Sequence, residues 1–260
     1  MKRGSLTVVG TGYVAGGHAT TETLVCLKQA EKLFYVVSEQ AMRVWLESLN
    51  CTAESLEDCY APGKPRYESY REMVERILGA VRAGREVVAA FYGHPGVFVY
   101  PSHEAIRRAR RAGYAAQMLP GISAEDCLFA DLGIDPAQHG CQSFEATDFL
   151  IHRRKFDPAS HLVLWQAGAI GVKDYQNREV WSREGVRVLA GALRKTYPAK
   201  HPVVIYEASQ YAVCKPRIER VALGRLARSR VTVISTLYVA PCAKARADKK
   251  MMARLGLAPA

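Results

Sequence analysis

The sequence predicts an α/β protein of two subdomains, and three observations carry that reading. Short apolar strands alternate with helix-length segments through the first half, the order that builds a mostly parallel sheet covered by helices. Leu119-Pro120-Gly121-Ile122-Ser123 then breaks both periodicities. Beyond it a second set of apolar strands begins, and a chain of 260 residues has material for two modest cores. The boundaries fall at residues 1–119 for the first subdomain and 120–243 for the second, with a basic helical tail over 244–260.

In chain order, Leu6-Thr7-Val8-Val9 reads as the first strand and Phe34-Tyr35-Val36-Val37 as the second, with a helix-length stretch between them. Residues 68–83 place Met73, Val74, Ile77, Leu78 and Val81 at the 3.6-residue period of a helix, and Gly84 supplies the stop. Val87–Phe91 and Ala115–Leu119 are strands flanking a helix around Ile106 and Ala109. The second half offers strands at Leu162–Trp165, Val203–Tyr206 and Val231–Ile234. A helix carrying Val186, Leu189 and Leu193 lies between the first two, and Lys244–Leu255 is helix-prone.

Composition excludes several classes. Hydrophobic residues at 49% and charged residues at 23% are ordinary for a globular protein. No apolar run of transmembrane length occurs, so a membrane partner is not expected. Seven cysteines form no CxxC or CxxH pair, which speaks against a zinc ribbon and for reduced thiols in the cytoplasm. His94 and His103 lack zincin spacing, so no metal is expected. The net charge of +11, from 36 basic and 25 acidic residues, is scattered over helix-like segments. It reads first as solvated helix faces and then as a surface for an acidic partner, such as a peptide.

Three motifs carry chemistry. Gly10-Thr11-Gly12-Tyr13-Val14-Ala15 fits the dinucleotide pattern G-x-G-x-x-A. Gly16-Gly17 would weaken the helix that must follow, and Glu39 stands too late for the ribose contact. Arg66 and Tyr70, with Tyr60 just before them, share one face if a helix begins near Arg66. They form either a surface arginine stacked on tyrosine, or a general base with a guanidinium that favours its phenolate. Phe91-Tyr92-Gly93-His94-Pro95-Gly96-Val97-Phe98 follows an apolar strand and ends regular structure at its carboxyl end, where open sheets bind ligands. Its small glycines are expected to let a ligand approach the main chain. Ser123 is not in G-x-S-x-G, so no hydrolase elbow is present.

The octapeptide resembles a motif of the borosin peptide N-methyltransferases, of the tetrapyrrole-methylase superfamily. Similar segments recur in order at Pro120–Glu125, Phe129–Pro136, Phe144–Ala146, Leu164–Gln166 and Ile234–Thr236, so the likeness runs from about Gly4 to about Lys244. The resemblance implies a tetrapyrrole-methylase-like fold, two α/β subdomains with an S-adenosylmethionine (SAM) site in the cleft between them. It implies catalytic roles for Arg66, Tyr70, Tyr92 and Tyr60. It implies cofactor contacts from Tyr92, His94, Val97, Ser123, Ala124, Gln166, Tyr206, Ala208, Ser235 and Thr236, with S-adenosylhomocysteine as product. Read singly, Val97 is a core residue, Ser123 a helix N-cap with Glu125 behind it, and Gln166 a strand-end polar group.

The implied activity is N-methylation of backbone amides in a ribosomal precursor peptide. A homodimer is expected and nucleic acid is not. No Val/Ile-rich core peptide follows Leu257-Ala258-Pro259-Ala260, which fits either a split-type enzyme or a trimmed part of a fused protein; the substrate is expected in trans, with an acidic leader. The alternatives are a precorrin-type tetrapyrrole C-methyltransferase, favoured by an arginine-lined site, and a catalytically silent peptide-binding module.

Overall fold

A computed structural model describes residues 4–37, 39–172 and 182–257 of the chain. The contacts gather into two compact units. The first runs to Ile134 and also takes in Glu207–Arg217, and the second begins at Asp135. The division falls beyond the Pro120-Gly121 break because the segment Ala124–Leu132 groups with the strands before it.

In the first unit the order is β1 (Ser5–Gly10), α1 (Thr21–Gln29), β2 (Lys32–Val36), α2 (Gln40–Leu49) and β3 (Glu54–Ser55). A single 3-10 turn, Glu57–Cys59, leads to α3 (Arg66–Arg82), β4 (Glu86–Phe91), α4 (Tyr100–Arg111), β5 (Ala115–Met118) and α5 (Ala124–Leu132). The strands pair in parallel in the order β3-β2-β4-β1-β5. Alternate side chains leave a strand on opposite faces. Leu6 and Val8, Phe34 and Val36, and Val87, Ala89 and Phe91 pack on α3 and α4. Val9, Leu33, Tyr35, Val88 and Ala90 pack on α1 and α2. Both faces are therefore covered, which is why these strands read as near-continuous apolar runs.

Helix α3 buries Met73, Val74, Ile77, Leu78 and Val81, as its period predicts. It ends where Gly84 takes a φ of 86° and Arg85 N–H donates to the Ala80 carbonyl at 3.3 Å, the closing bond of a glycine stop. Helix α1 starts only at Thr21, after Thr20 Oγ1 accepts the Thr23 N–H at 3.1 Å. No helix opens beside Gly12, so the pyrophosphate-binding turn of a dinucleotide fold is absent.

The second unit continues with α6 (Pro136–His139), β6 (Cys141–Glu145), α7 (Ala146–Ile151), β7 (His161–Trp165), α8 (Arg183–Leu193), β8 (Pro202–Glu207), β9 (Arg217–Ala222), β10 (Thr236–Val239) and α9 (Lys249–Arg254). Its sheet runs β6-β7-β10-β8-β9. β6 and β7 are parallel, but β10 is antiparallel to both β7 and β8. The mostly parallel pairing expected of the first half holds in its sheet, whereas the second sheet is mixed. Leu162, Leu164, Val203, Ile205, Leu237 and Val239 pack on Val186, Leu189 and Leu193 of α8.

Two further expectations are corrected. Val231–Ile234 is a turn, and the strand follows it at Thr236. Ser235 Oγ accepts the Thr232 N–H at 2.9 Å while Ser235 N–H donates to the Thr232 carbonyl at 3.0 Å, and this local closure bends the apolar run out of the sheet. The tail is helical only over Lys249–Arg254, because Asp248 caps it by accepting from Lys250 N at 2.9 Å.

Candidate active site

The chain leaves β1 toward β2 on one side and leaves β4 toward β5 on the other. The carboxyl ends of β1 and β4 are therefore a topological switch point. Gly10, Gly93 and Gly121 meet there. A Cβ on Gly10 would stand 2.4 Å from the Gly93 carbonyl oxygen and 2.9 Å from the Gly121 Cα. Gly93 N–H donates to the Gly12 carbonyl at 2.9 Å. At Gly10 and Gly121 the missing side chains make room for the Gly93 carbonyl and for each other's backbone.

The loop beyond β4 is pinned at several points. Gly96 N–H donates to His94 Nδ1 at 2.9 Å, and His103 Nε2 lies 2.9 Å from the Gly96 carbonyl. Ser102 Oγ donates to the Pro95 carbonyl, and Val97 N–H to the His94 carbonyl at 3.1 Å. Phe98 holds a φ of 57°, a costly conformation for an aromatic residue. Tyr92, Val97 and Phe98 stay exposed on this fixed frame. Tyr92 also borders a small recess with Gly12, Tyr13, Val37, Glu39, Met42 and Gln210.

Arg66, Tyr60, Tyr70 and Tyr92 come together. Arg66 opens α3, so it and Tyr70 lie one turn apart, as the spacing predicts. Tyr60 caps the 3-10 turn and is tied to α3 from both sides: Lys64 Nζ donates to the Cys59 carbonyl at 2.8 Å and pairs with Glu72 at 2.6 Å, and Arg76 pairs with Asp58 at 2.6 Å. The Tyr60 and Tyr70 rings meet edge to face at 6.3 Å, and Tyr70 stacks on Tyr100 at 6.1 Å. Burial pushes the Tyr60 phenol up; the Tyr70 and Tyr92 phenols and a hydrogen bond with Tyr70 add to this, and Arg66 opposes it. The raised pKa keeps the Tyr60 phenol in its neutral form beside Tyr70. Although Tyr92 is 44% exposed, its hydroxyl end lies among protein atoms. Burial and then Tyr70 raise its pKa, with Arg66 opposing. Among the described residues no carboxylate pairs with Arg66, so its charge is directed at phenols.

Two tyrosines of this cluster escape the sequence reading. Tyr13 packs edge to face on Tyr92 at 6.1 Å, and burial pushes its phenol up. Tyr100 bridges Tyr70 and Tyr67. The available signals were position alone: Tyr13 follows Gly12 in the first turn, and Tyr100 opens the helix after the second loop.

The remaining positions implied for SAM divide between the units. His94 and Val97 lie on the loop, and Ser123 and Ala124 at the start of α5. Ser123 is a full N-cap: its Oγ accepts the Asp126 N–H at 3.1 Å, and its N–H donates to Asp126 Oδ2 at 2.7 Å. The box partner is Asp126 and not the expected Glu125. Ala208 belongs to the segment Glu207–Arg217 of the first unit.

In the second unit Gln166, Ser235, Thr236 and Tyr206 converge. Ala167 N–H donates to the Ser235 carbonyl at 3.1 Å, and Thr236 pairs in register with Tyr206. Gln166 holds a φ of 54° at the end of β7, and its carboxamide makes no hydrogen bond among the described residues. A strained residue with a free amide fits the hydrogen-bonding edge of a nucleobase or an amino-acid headgroup. Among the described residues no group of His, Cys, Asp and Glu could hold a metal. None of the described helices is long and apolar enough to cross a membrane.

A methylase fold with a tyrosine-rich switch point agrees with comparisons to known proteins. Residues 5–227 match the family described as Tetrapyrrole (Corrin/Porphyrin) Methylases. The chain belongs to that family. It is 42% identical over 263 residues to a methyltransferase/ribosomally synthesized cyclic peptide omphalotin A precursor of Omphalotus olearius, covering 100% of this chain and 63% of the relative. A methyltransferase/ribosomally synthesized type I borosin cyclic peptide precursor of Coprinopsis marcescibilis is 40% identical over 265 residues, 99% of this chain and 68% of the relative. The chain thus spans about two thirds of the length of these relatives. Among solved structures, a uroporphyrin-III-C-methyltransferase from Thermus thermophilus superposes with a TM-score of 0.65 over 92% of this chain and 93% of its own, at 19% identity.

Proposed function

We propose that the chain is a SAM-dependent methyltransferase acting on backbone amides of a ribosomal precursor peptide. The observation that carries this is the cluster of three phenols around one unpaired guanidinium at a strand-end loop. An arginine-lined site would suit an acidic tetrapyrrole; a phenol-lined one suits an amide. The names of the relatives, which join a methyltransferase to a cyclic-peptide precursor, support the same choice.

An amide nitrogen is a poor nucleophile, because its lone pair is shared with the carbonyl. Its N–H proton must leave, and charge must be held on its oxygen. Tyr70 is the acceptor for that proton, since it lies one helical turn from Arg66 with its ring held between Tyr60 and Tyr100. Tyr92 keeps its proton, and together with Arg66 it can donate to the amide oxygen as negative charge builds there. SAM would supply an electrophilic methyl group, and the loop Tyr92–Phe98 would hold it. The Tyr13 and Tyr100 rings keep the phenols in place and limit water around them.

The protein is further read as a cytoplasmic homodimer. Incubation with SAM and a candidate precursor, followed by fragment mass spectrometry, tests the activity: each transfer adds one CH₂ to a backbone fragment. SAM should also raise the melting temperature, because a ligand of the native state stabilises it. Stabilisation by SAM with methylation of a precorrin-type tetrapyrrole and of no peptide would overturn the peptide reading. Light scattering showing a fully active monomer would remove the dimer.

A further inference from the structure

We propose that a groove between α7 and α8 of the second unit is an exosite for an acidic segment of the polypeptide substrate, anchored by a bulky apolar side chain. This rests on the peptide reading above and adds where and how the peptide is held. The groove measures about 700 Å³, the size of a small-ligand or side-chain site. Its floor is aromatic, from Phe149 and Phe156, and Val188 on its α8 wall stays 46% exposed.

Gly191 keeps the groove open. It sits inside α8, where glycine costs helix stability, yet a Cβ there would meet nothing within 4 Å. Neither close packing nor a left-handed φ requires glycine at this position.

The rim is cationic. Arg153 follows α7 with a φ of 47°, a position that favours glycine, and its N–H donates to the Leu150 carbonyl at 3.3 Å. A helix stop alone calls for glycine, so the guanidinium is retained against backbone preference. Lys195 follows the last turn of α8 on the other side. The acids of both helices are already engaged: Asp148 pairs with Arg154 at 2.7 Å and with His152 at 2.8 Å, and Glu184 pairs with Arg187. Among the described residues Arg153 and Lys195 pair with no carboxylate, so carboxylates of an incoming chain complement them. Cations near helix carboxyl ends also suit the helix dipole. The dipole does not account for an aromatic floor left open by a glycine.

The test uses the full chain and a short fluorescein-labelled peptide of Glu and Asp flanking Leu-Phe-Leu, read by anisotropy. Arg153→Gly with Lys195→Ala should weaken binding about tenfold or more, while the melting temperature holds or rises, because glycine suits that φ. Gly191→Leu should weaken it similarly by filling the groove, again without loss of melting temperature. Lys28→Ala with Arg111→Ala removes the same charge from exposed positions of the first unit and should change affinity less than twofold. Affinity unchanged in both groove variants, or weakened equally by the distant pair, would overturn the exosite. SAM-induced stabilisation and methylation of short core peptides should persist in the groove variants. Loss of peptide methylation in the unsubstituted protein would instead condemn the peptide reading.

Discussion

In the proposed reaction Tyr70 takes the amide proton, while burial pushes the neighbouring Tyr60 and Tyr92 phenols up. Tyr70→Phe keeps the ring that stacks on Tyr100 and removes one oxygen. It should lower single-turnover methyl transfer by about 10²–10⁴-fold while leaving SAM-induced stabilisation intact. A near-unchanged rate would move the proton acceptor to Tyr92. Arg66→Lys should lose most of the rate too, since a point charge replaces a planar donor. The grouping of Arg66, Tyr60, Tyr70 and Tyr92 was legible in the sequence through resemblance; spacing alone favoured a stacked surface pair. Tyr13 and Tyr100 were not legible, because ring contacts between distant loops leave no mark in local pattern.

At the level of elements, the strands of the first unit were legible because both faces of that sheet are covered, which makes each strand a compact apolar run. β6 and β9 were not. Cys141-Gln142-Ser143-Phe144-Glu145 and Arg217–Ala222 are the outer strands of their sheet and carry mixed polar residues, as edges do. The run Val231–Ile234 misled for the opposite reason: its apolar residues sit in a turn, with Val231 buried and Ile234 exposed, and not in a ladder. Glycine meaning was also split by element. Gly10→Ala would force a Cβ to 2.4 Å from the Gly93 oxygen, with rigid backbone on both sides. It should destabilise by about 1–3 kcal/mol, or about 2–4 °C in melting temperature per kcal/mol. Gly79→Ala, inside α3 with nothing within 4 Å, should stabilise by about 0.8–1 kcal/mol. Calorimetric melts of the two variants shifting in the same direction would contradict this difference.

Across the whole molecule, burial lowers the pKa of a histidine in each unit, and this shapes how stability responds to mild acid. In the first unit burial lowers the His18 pKa, with Asp131 opposing, and His18 Nδ1 accepts the Tyr13 N–H at 3.2 Å, which a protonated ring could not do. In the second, burial and then His139 lower the His161 pKa, with Asp135 opposing. His161 Nδ1 lies 2.7 Å from the Tyr238 hydroxyl, whose pKa burial pushes up to about 12. A histidine whose folded pKa lies below its unfolded value of 6.5 binds fewer protons folded than unfolded. Stability then rises with pH through that window, and the contribution is complete above the unfolded pKa. It is lost as pH falls below about 6.5 toward the folded values, before the exposed carboxylates of Glu72, Glu75 and Asp148, all held below their usual range, begin to titrate. The melting temperature should therefore be flat from about pH 8 to 7 and decline from about pH 6.5 to 5. His18→Gln and His161→Gln should each flatten part of that decline, because glutamine remains neutral throughout. A melting temperature that stays constant down to about pH 5 in the unsubstituted protein would show that neither ring is held neutral by the fold.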